Sequence, residues 1–275
     1  MFNFFKKKKK SVAIVLSGGA ARGIAHIGFL KALDENNIPV DAIYGTSVGA
    51  IVGALYCCGL TSARLAKIVA DLSLTDFIAF KLSKKALFSS EAIERFIKTH
   101  IGDMCFKDLT IPFYAMATNI KTGQADCLSH SDLSVAKAVR ASASIPGLFT
   151  PTEIGDELYI DGAISAHIAQ RSFISEDVLI GCNVIPNIDM KSSPKTMVHI
   201  IDRAVDCATL AQMPYFESQC DLIVHPVKTH VGSIDLNPLK ENAQVQFVHV
   251  HLAINNYMID DRECSPGIKF KDAEL

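Results

Sequence analysis

Gly45-Thr46-Ser47-Val48-Gly49 places a serine between two glycines, and this pentapeptide is the most informative part of the chain. A strand-like apolar run, residues 41–44, precedes it, and a helix-like run of small and apolar residues, 48–55, follows it. The pattern is typical of a nucleophile elbow, a turn so tight that side chains at the flanking positions would collide. It predicts a Ser47 hydroxyl above the sheet at a helix N-terminus, where developing negative charge is favoured.

A second glycine cluster lies upstream, in the run Leu16-Ser17-Gly18-Gly19-Ala20-Ala21-Arg22-Gly23. It separates a strand-like run, residues 12–16, from a helix predicted over about 23–36. Two strand-to-helix turns would then lie side by side in one sheet. Acyl transfer requires backbone N–H donors aimed at the carbonyl oxygen as it becomes an oxyanion, and a small-residue loop at a helix start supplies them. Arg22 is expected either to fix this loop or to hold an anionic head group.

The same cluster also approximates the dinucleotide fingerprint Gly-x-Gly-x-x-Gly after a first strand, through Gly18, Ala20 and Gly23. Two observations disfavour that interpretation. Ala20 replaces the middle glycine, and the second strand ends in the serine elbow instead of an acidic residue for a ribose.

The third motif is Leu158-Tyr159-Ile160-Asp161-Gly162-Ala163, a short apolar run that ends in an aspartate followed by glycine. An aspartate at a strand end can face a serine from a neighbouring strand. Asp-Gly alone is also a common turn signal, so the interpretation of Asp161 as a functional residue depends on the two motifs before it.

With these three motifs in this order, the sequence resembles the patatin-like phospholipase family, bacterial type. The resemblance also rests on residues 25–33, Ala-His-Ile-Gly-Phe-Leu-Lys-Ala-Leu, and on residues 140–149, Arg-Ala-Ser-Ala-Ser-Ile-Pro-Gly-Leu-Phe; it covers about residues 12–165. It implies a three-layer α/β/α fold with a mostly parallel central sheet, and a Ser/Asp dyad that hydrolyses acyl esters of lipids. Ser47 would be the nucleophile and Asp161 the base. The resemblance assigns the oxyanion hole to Gly18, Gly19 and Ala20, with support from Arg22, Gly23, Gly45, Gly49 and Gly162.

The chain departs from the family pattern at two places. Ala20 stands where a third glycine is usual, and Ala166-His167-Ile168-Ala169 replaces an Asn-x-Pro segment after the Asp-Gly-Ala. These departures keep open a catalytically weak regulatory or adaptor protein, and acceptor choice keeps open an acyltransferase or thioesterase. A carboxylate in a dry pocket can itself take the serine proton. A Ser-Asp-His triad stays open because six histidines follow Asp161: His167, His199, His225, His230, His249 and His251.

Composition predicts one catalytic domain, residues 11–275, behind a basic arm, residues 1–10. The 275 residues are 49% hydrophobic, which suffices for a large core. The net charge of −2 disfavours nucleic acid as a partner. The eight cysteines form no Cys-x-x-Cys and no zinc spacing. We therefore expect small core cysteines in a reducing, cytoplasmic setting, with no metal or cofactor.

The basic arm joins Phe2, Phe4 and Phe5 to the five consecutive lysines Lys6 to Lys10. Aromatic rings can insert at the headgroup level while lysines are attracted to anionic lipid, so the arm predicts a peripheral contact with an anionic membrane, the inner face for a cytoplasmic protein. A solvated tail is the alternative. The apolar run that follows, residues 12–16, is too short for a signal-peptide core, so we expect no cleavage there.

Apolar periodicity predicts an alternation of helices and strands typical of a parallel sheet covered on both faces. The predicted helices cover residues 61–72, 90–100, 133–143, 196–218 and 239–259, and the predicted strands cover 113–119, 157–160, 178–182 and 222–225. Residues 75–88 mix apolar side chains with three lysines and are expected to form a lid or acyl-chain wall over Ser47, or a loop that caps the core.

Overall fold

A computed structural model of the protein describes residues 10–71, 79–80, 86–185 and 193–227. The six helices of these residues are α1 (Ile24–Glu35), α2 (Val48–Cys57), α3 (Ser62–Asp71), α4 (Glu91–Ile101), α5 (Val135–Ser142) and α6 (Met197–Glu217). The strands are β1 (Val12–Leu16), β2 (Ala42–Thr46), β3 (Ala79–Phe80), β4 (Ala86–Ser89), β5 (Phe113–Asn119), β6 (Ala125–Leu128), β7 (Gly147–Phe149), β8 (Thr152–Ile154), β9 (Glu157–Asp161), β10 (Val178–Cys182) and β11 (Leu222–Val224).

Eight strands form the central sheet. The strands β11, β10, β1, β2 and β5 are consecutive neighbours and run parallel. The strands β6, β8 and β9 add antiparallel pairs at the β5 side. Because β1, β2 and β10 are fully buried, their sequences are apolar runs without alternation, as expected for parallel strands covered on both faces.

The pairing of β5 brings two strand ends together. Residues 113–116 pair with β2, residues 117–119 pair with β9, and residues 115–118 pair with β6. A strand has only two edges, and β6 overlaps both other partners, so β2 and β9 share the opposite edge. Since β2 is parallel and β9 antiparallel to β5, their C-terminal ends meet on that edge.

Helices cover both faces of the sheet, which gives the three layers of the predicted α/β/α fold. On one face, α1, α2, α4 and α5 pack with Ile14, Leu16 and Phe113 in the main core. On the other face, Val15 and Tyr44 pack with residues 166–174 and with Phe216 of α6. The seven described cysteines are all free thiols, and two of them, Cys57 and Cys182, are buried. The prediction of core cysteines therefore holds for these two.

Several predictions concern residues outside this description: the arm at residues 1–9, the helix at residues 239–259, and most of residues 75–88. The described part of that last segment consists of β3 and β4, which form a small sheet with β7. No described helix combines the length and the apolar character that a membrane span requires.

Candidate active site

The elbow forms where β2 ends and α2 begins, as the sequence predicts. Ser47 has φ 53° and ψ −121°, a left-handed region of backbone space in which residues other than glycine are uncommon. A Cβ on Gly45 would lie 2.6 Å from Ala50 Cα, and one on Gly49 would lie 2.3 Å from Leu16 O. The packing leaves no room for a side chain on either side of the serine.

The structure brings Ser47 and Asp161 together at the meeting point of β2 and β9. Ser47 Oγ donates a hydrogen bond of 2.7 Å to Asp161 Oδ2, and the amide of Ala163 donates to Asp161 Oδ1 over 2.8 Å. The two side chains belong to strands that meet end to end instead of lying side by side, which differs from the expected neighbouring strand. The chain passes close to β5 at Gly162, where a Cβ would lie 2.3 Å from Met116 O, so only glycine fits at this position.

Burial controls the protonation of this pair. Asp161 is buried, and the loss of hydration raises the pKa of its carboxyl to about 6, against the opposing effect of the Ser47 and Ala163 hydrogen bonds. The carboxylate is therefore ionised at neutral pH, yet it is a stronger base than an exposed aspartate. A group of this kind can take a proton from a serine hydroxyl.

The glycine loop lies beside the elbow, and its residues are engaged differently. Gly18 N donates to His167 O over 3.4 Å, whereas the amides of Gly19 and Ala20 have no partner among the described residues. Gly19 and Ala20 also line a cavity with Ser47 and Asp161. Ala20 has φ 50°, and the short 3₁₀ turn Ala20–Gly23 follows. Two free backbone donors thus lie at the wall of the cavity that contains the serine.

Arg22 joins the glycine loop to α6, and it also lines the cavity. The side chain is 2% exposed, and Nη1 lies 3.3 Å from Asp206 Oδ1 on α6. Burial raises the pKa of Asp206, against the opposing effect of the Arg22 charge. A Cβ on Gly23 would lie 2.2 Å from Val48 Cγ2, so this glycine lets the 3₁₀ turn pack against the start of α2.

Helix α6 roofs the site. The cavity has a volume of about 80 Å³, and side chains from one face of α6 form much of its wall: Val198, Ile201, Asp202, Val205, Asp206 and Thr209. Ile145 and Leu148 add further apolar surface to the cavity. Gln212 Nε2 donates to Ile164 O over 2.9 Å, which joins α6 to the turn after Asp161. Polar contacts thus join α6 to the glycine loop, through Arg22 and Asp206, and to the turn after Asp161, through Gln212 and Ile164.

The segment after Asp161 supports the site although it lacks the family's Asn-x-Pro. Thr46 Oγ1 donates to Ala166 O over 3.0 Å, which joins the segment to the elbow, and the contact of Gly18 with His167 O joins it to the glycine loop. His167 is buried, burial lowers its pKa to about 4, and its ring nitrogens contact Asn183 and Thr209 at 3.4 and 3.5 Å.

Among the described histidines, His167 lines the cavity with Ser47 and Asp161, but its ring nitrogens contact Asn183 and Thr209 instead of either residue. Ser47 donates directly to the carboxylate, which leaves no position for an imidazole between them. His225 contacts Glu217, and His199 lies at the start of α6. His230, His249 and His251 lie outside the described residues. In the described ranges, no group of three or more histidine, cysteine or acidic side chains is arranged to hold a metal ion.

Sequence reasoning missed a serine that contacts the backbone of Ser47. Ser142 Oγ accepts the Ser47 N–H at 2.9 Å, and Ser144 O accepts the Asp161 N–H at 2.9 Å. Ser142 and Ser144 both belong to the run of residues 140–149 that carries part of the family resemblance. The motif was therefore visible in the sequence, but the role of its serines was not.

Comparisons with known sequences agree with this geometry. A sequence profile described as patatin-like phospholipase matches residues 14–174. An uncharacterized NTE family protein of Mycobacterium tuberculosis is 32% identical over 155 residues, which cover 56% of this chain and 42% of that protein. Lysophospholipase nte1 of Emericella nidulans is 33% identical over 189 residues, 64% of this chain and 12% of that protein. The chain thus spans less than half the length of these relatives.

Solved structures share the fold. VipD from Legionella pneumophila superimposes with a TM-score of 0.65 at 12% identity, covering 90% of this chain and 67% of that one. ExoU of Pseudomonas aeruginosa, in its complex with SpcU, gives a TM-score of 0.52 at 14% identity, covering 90% of this chain and 52% of that one. At such identities the likeness concerns the three-layer architecture.

Proposed function

The chain belongs to the patatin-like phospholipase family, and from that premise we propose that it hydrolyses carboxylic esters of lipids through an acyl-serine intermediate. The observation that carries the proposal is the 2.7 Å hydrogen bond from Ser47 Oγ to Asp161 Oδ2 in a buried site. The names of the relatives, a lysophospholipase in one case, agree with a lipid ester as substrate.

In the acylation half of the proposed reaction, Ser47 Oγ attacks the ester carbonyl carbon and its proton passes to Asp161 Oδ2. The carbonyl electron pair moves to the oxygen, which the amides of Gly19 and Ala20 stabilise as an oxyanion. Collapse of this intermediate expels the alcohol, which takes the proton from Asp161. The N-terminus of α2 at Ser47 adds a favourable dipole.

In the deacylation half, water attacks the acyl carbon and transfers a proton to Asp161. The second tetrahedral intermediate collapses, Ser47 Oγ leaves as it regains a proton from Asp161, and the fatty acid is released. The carboxylate serves as base and acid in each half because its pKa, raised to about 6, lies near neutrality.

The decisive experiment uses purified protein, a soluble p-nitrophenyl ester and a mixed lipid extract followed by mass spectrometry. Wild type is expected to hydrolyse both the soluble ester and lipids of the extract, and Ser47→Ala is expected to hydrolyse neither. Ser175 is exposed, so Ser175→Ala serves as a control that should behave as wild type. A fluorophosphonate probe should label Ser47 in one-to-one stoichiometry. Labelling that persists in Ser47→Ala would overturn the nucleophile, and a wild type without turnover would favour a regulatory or adaptor role.

We also propose that the basic arm holds the protein at an anionic membrane surface from the cytoplasmic side. Five lysines at about 1 kcal/mol each near such a surface suffice for loose attachment. Ser11, whose amide donates to Asp177 Oδ2 over 2.9 Å, marks where the arm joins the folded domain.

Deletion of residues 1–10 removes the whole arm and keeps the contact of the Ser11 side chain with Asp177. The shortened protein should lose co-sedimentation with anionic vesicles while it hydrolyses a soluble ester at the wild-type rate. Binding of the full chain should weaken as salt rises, and vesicles of phosphatidylcholine, which carries no net charge, serve as the control. Equal vesicle binding by both proteins would contradict an anchoring role.

A further inference from the structure

The C-terminal end of α5 contacts both residues of the candidate dyad. Ser142 Oγ accepts the Ser47 N–H at 2.9 Å and donates its own proton to Met116 O at 2.6 Å. Two residues later, Ser144 O accepts the Asp161 N–H at 2.9 Å. The single hydroxyl of Ser142 therefore bridges the elbow to the central strand β5, on which β2 and β9 meet.

The Ser142 hydroxyl is the acceptor that the Ser47 N–H requires, because neither α2 nor solvent supplies one. A residue at an N-cap has no intrahelical partner for its N–H, and Ser142 is fully buried, so solvent cannot substitute for the hydroxyl. The backbone of Ser47 is moreover held at φ 53°, a conformation that persists only when its surroundings hold it in place.

The α5 helix is itself firmly anchored. Arg140 Nε donates to Ser90 Oγ over 2.8 Å, and its Nη1 lies 3.1 Å from Glu94 Oε2, which joins α5 to α4. Ser142 thus connects a rigid support to the strained residue that carries the nucleophilic oxygen.

We propose that Ser142 is a positioning residue: its hydroxyl fixes the Ser47 backbone so that Oγ points at Asp161 and at the carbonyl carbon of the ester. The inference rests on the proposed esterase function and adds to it a residue that never touches the substrate. Loss of the hydroxyl disturbs the angle of attack more than the binding of substrate. It therefore lowers kcat and leaves KM nearly unchanged.

The test compares Ser142→Thr with Ser142→Val in the full-length protein. Threonine and valine have nearly the same shape, so any cost of the added methyl group is common to both, and only the hydroxyl differs. We expect kcat for a soluble ester to be about 10- to 100-fold lower in the valine variant than in the threonine variant, with KM within about twofold. The rate of fluorophosphonate labelling should fall in parallel.

Ser89 offers a matched control. It is 4% exposed, and its Oγ also accepts a backbone N–H, that of Glu91, at 3.3 Å, far along the chain from the dyad. Threonine and valine at position 89 should give equal kcat values, even if both lower the melting temperature. If neither the threonine nor the valine variant at position 142 folds, Ser142→Ala is compared with Ser89→Ala. A fall in kcat is then expected only in Ser142→Ala.

Two results would overturn the inference, and they are distinguishable. If wild type hydrolyses esters in a Ser47-dependent way but threonine and valine at position 142 have equal kcat, positioning by Ser142 is wrong and the esterase function stands. If wild type shows neither turnover nor labelling, the esterase function fails and this inference fails with it.

Discussion

Thr46 and Asp161 pair with consecutive residues of the same strand: Thr46 with Met116 and Asp161 with Ala117 of β5. The register of β5 therefore sets the distance between Thr46, the residue before Ser47, and Asp161. A slip of one residue in either pairing would turn the side chains to the opposite face of the sheet. The contact between Ser47 and Asp161 is thus a consequence of backbone pairing before it is one of side-chain attraction.

Replacement of Asp161 by asparagine separates catalysis from stability. Asp161→Asn should lower turnover by roughly 100-fold or more because it removes the base and keeps the shape. It should also raise the free energy of unfolding at pH 7 to 8. Burial raises the pKa of Asp161 to about 6, so the folded state binds its proton more tightly than the unfolded state and loses stability as pH rises from about 4 to 6.

Denaturant titration of both proteins at pH 7.5 measures this effect, with an upper bound of about 3 kcal/mol from the size of the pKa shift. Below pH 4, where both states bind the proton, the advantage of the asparagine variant should vanish. A variant less stable than wild type at pH 7.5 would show that the carboxylate stabilises the fold.

The pH dependence of kcat/KM should have an acid limb near pH 6. Below this value the Asp161 carboxylate is protonated, and the rate should fall about tenfold for each further pH unit. Stopped assays with a soluble ester between pH 4.5 and 8 give the profile. His167→Gln should leave the limb in place because burial keeps that imidazole neutral, with its pKa lowered to about 4. A limb that disappears in this variant would favour histidine as the base.

Two glycines of α2 should respond differently to alanine. In Gly49→Ala the new Cβ would lie 2.3 Å from Leu16 O, a backbone atom that cannot yield, so we expect a loss of roughly 3 kcal/mol or more and no labelling of Ser47. In Gly53→Ala the nearest atoms, at 3.0 and 3.2 Å, belong to the side chains of Ile43 and Phe113, which need to move by only a few tenths of an ångström. Thermal unfolding and probe labelling should show Gly53→Ala close to wild type, and equal damage from both changes would contradict the close approach at Gly49.

Ala20→Gly should be tolerated. Ala20 has φ 50°, so glycine relieves strain of about 1 to 2 kcal/mol, while the more flexible unfolded chain costs about 0.4 to 1 kcal/mol. Asn37→Gly is the matched control, since Asn37 has φ 52° in the exposed loop after α1. Stability should change little in both, and ester hydrolysis should stay within about threefold of wild type. A large loss of activity in Ala20→Gly alone would show that the Ala20 methyl group is required.

Local patterns in the sequence predicted much of the fold. The strands β1, β5 and β10 have the predicted bounds, and α6 lies within one residue of them, because long apolar runs and helical periodicity are strong local signals. The short strands β6, β7 and β8 were not predicted, since three or four residues carry little pattern and depend on their partners.

The candidate site was predictable where a motif is contiguous and not where it depends on distant contacts. The motifs located Ser47, Asp161 and the glycine loop. The partner of Arg22 is Asp206, 184 positions along the chain, and nothing local in the sequence of α6 marks it as the roof of the cavity. The contact of Arg22 with Asp206 could therefore be found only from the packed structure.

The position of β1 has a consequence for how the chain acquires its structure during synthesis. β1 pairs with β2 on one edge and with β10, about 166 positions later, on the other. The family profile ends at residue 174, before β10 begins. A chain cut there would leave the fully buried β1 as an open sheet edge, a template for aggregation. In a nascent chain the edge of β1 therefore stays uncovered until β10, which ends at residue 182, has left the ribosome. The shortest fragment worth expressing extends past β10.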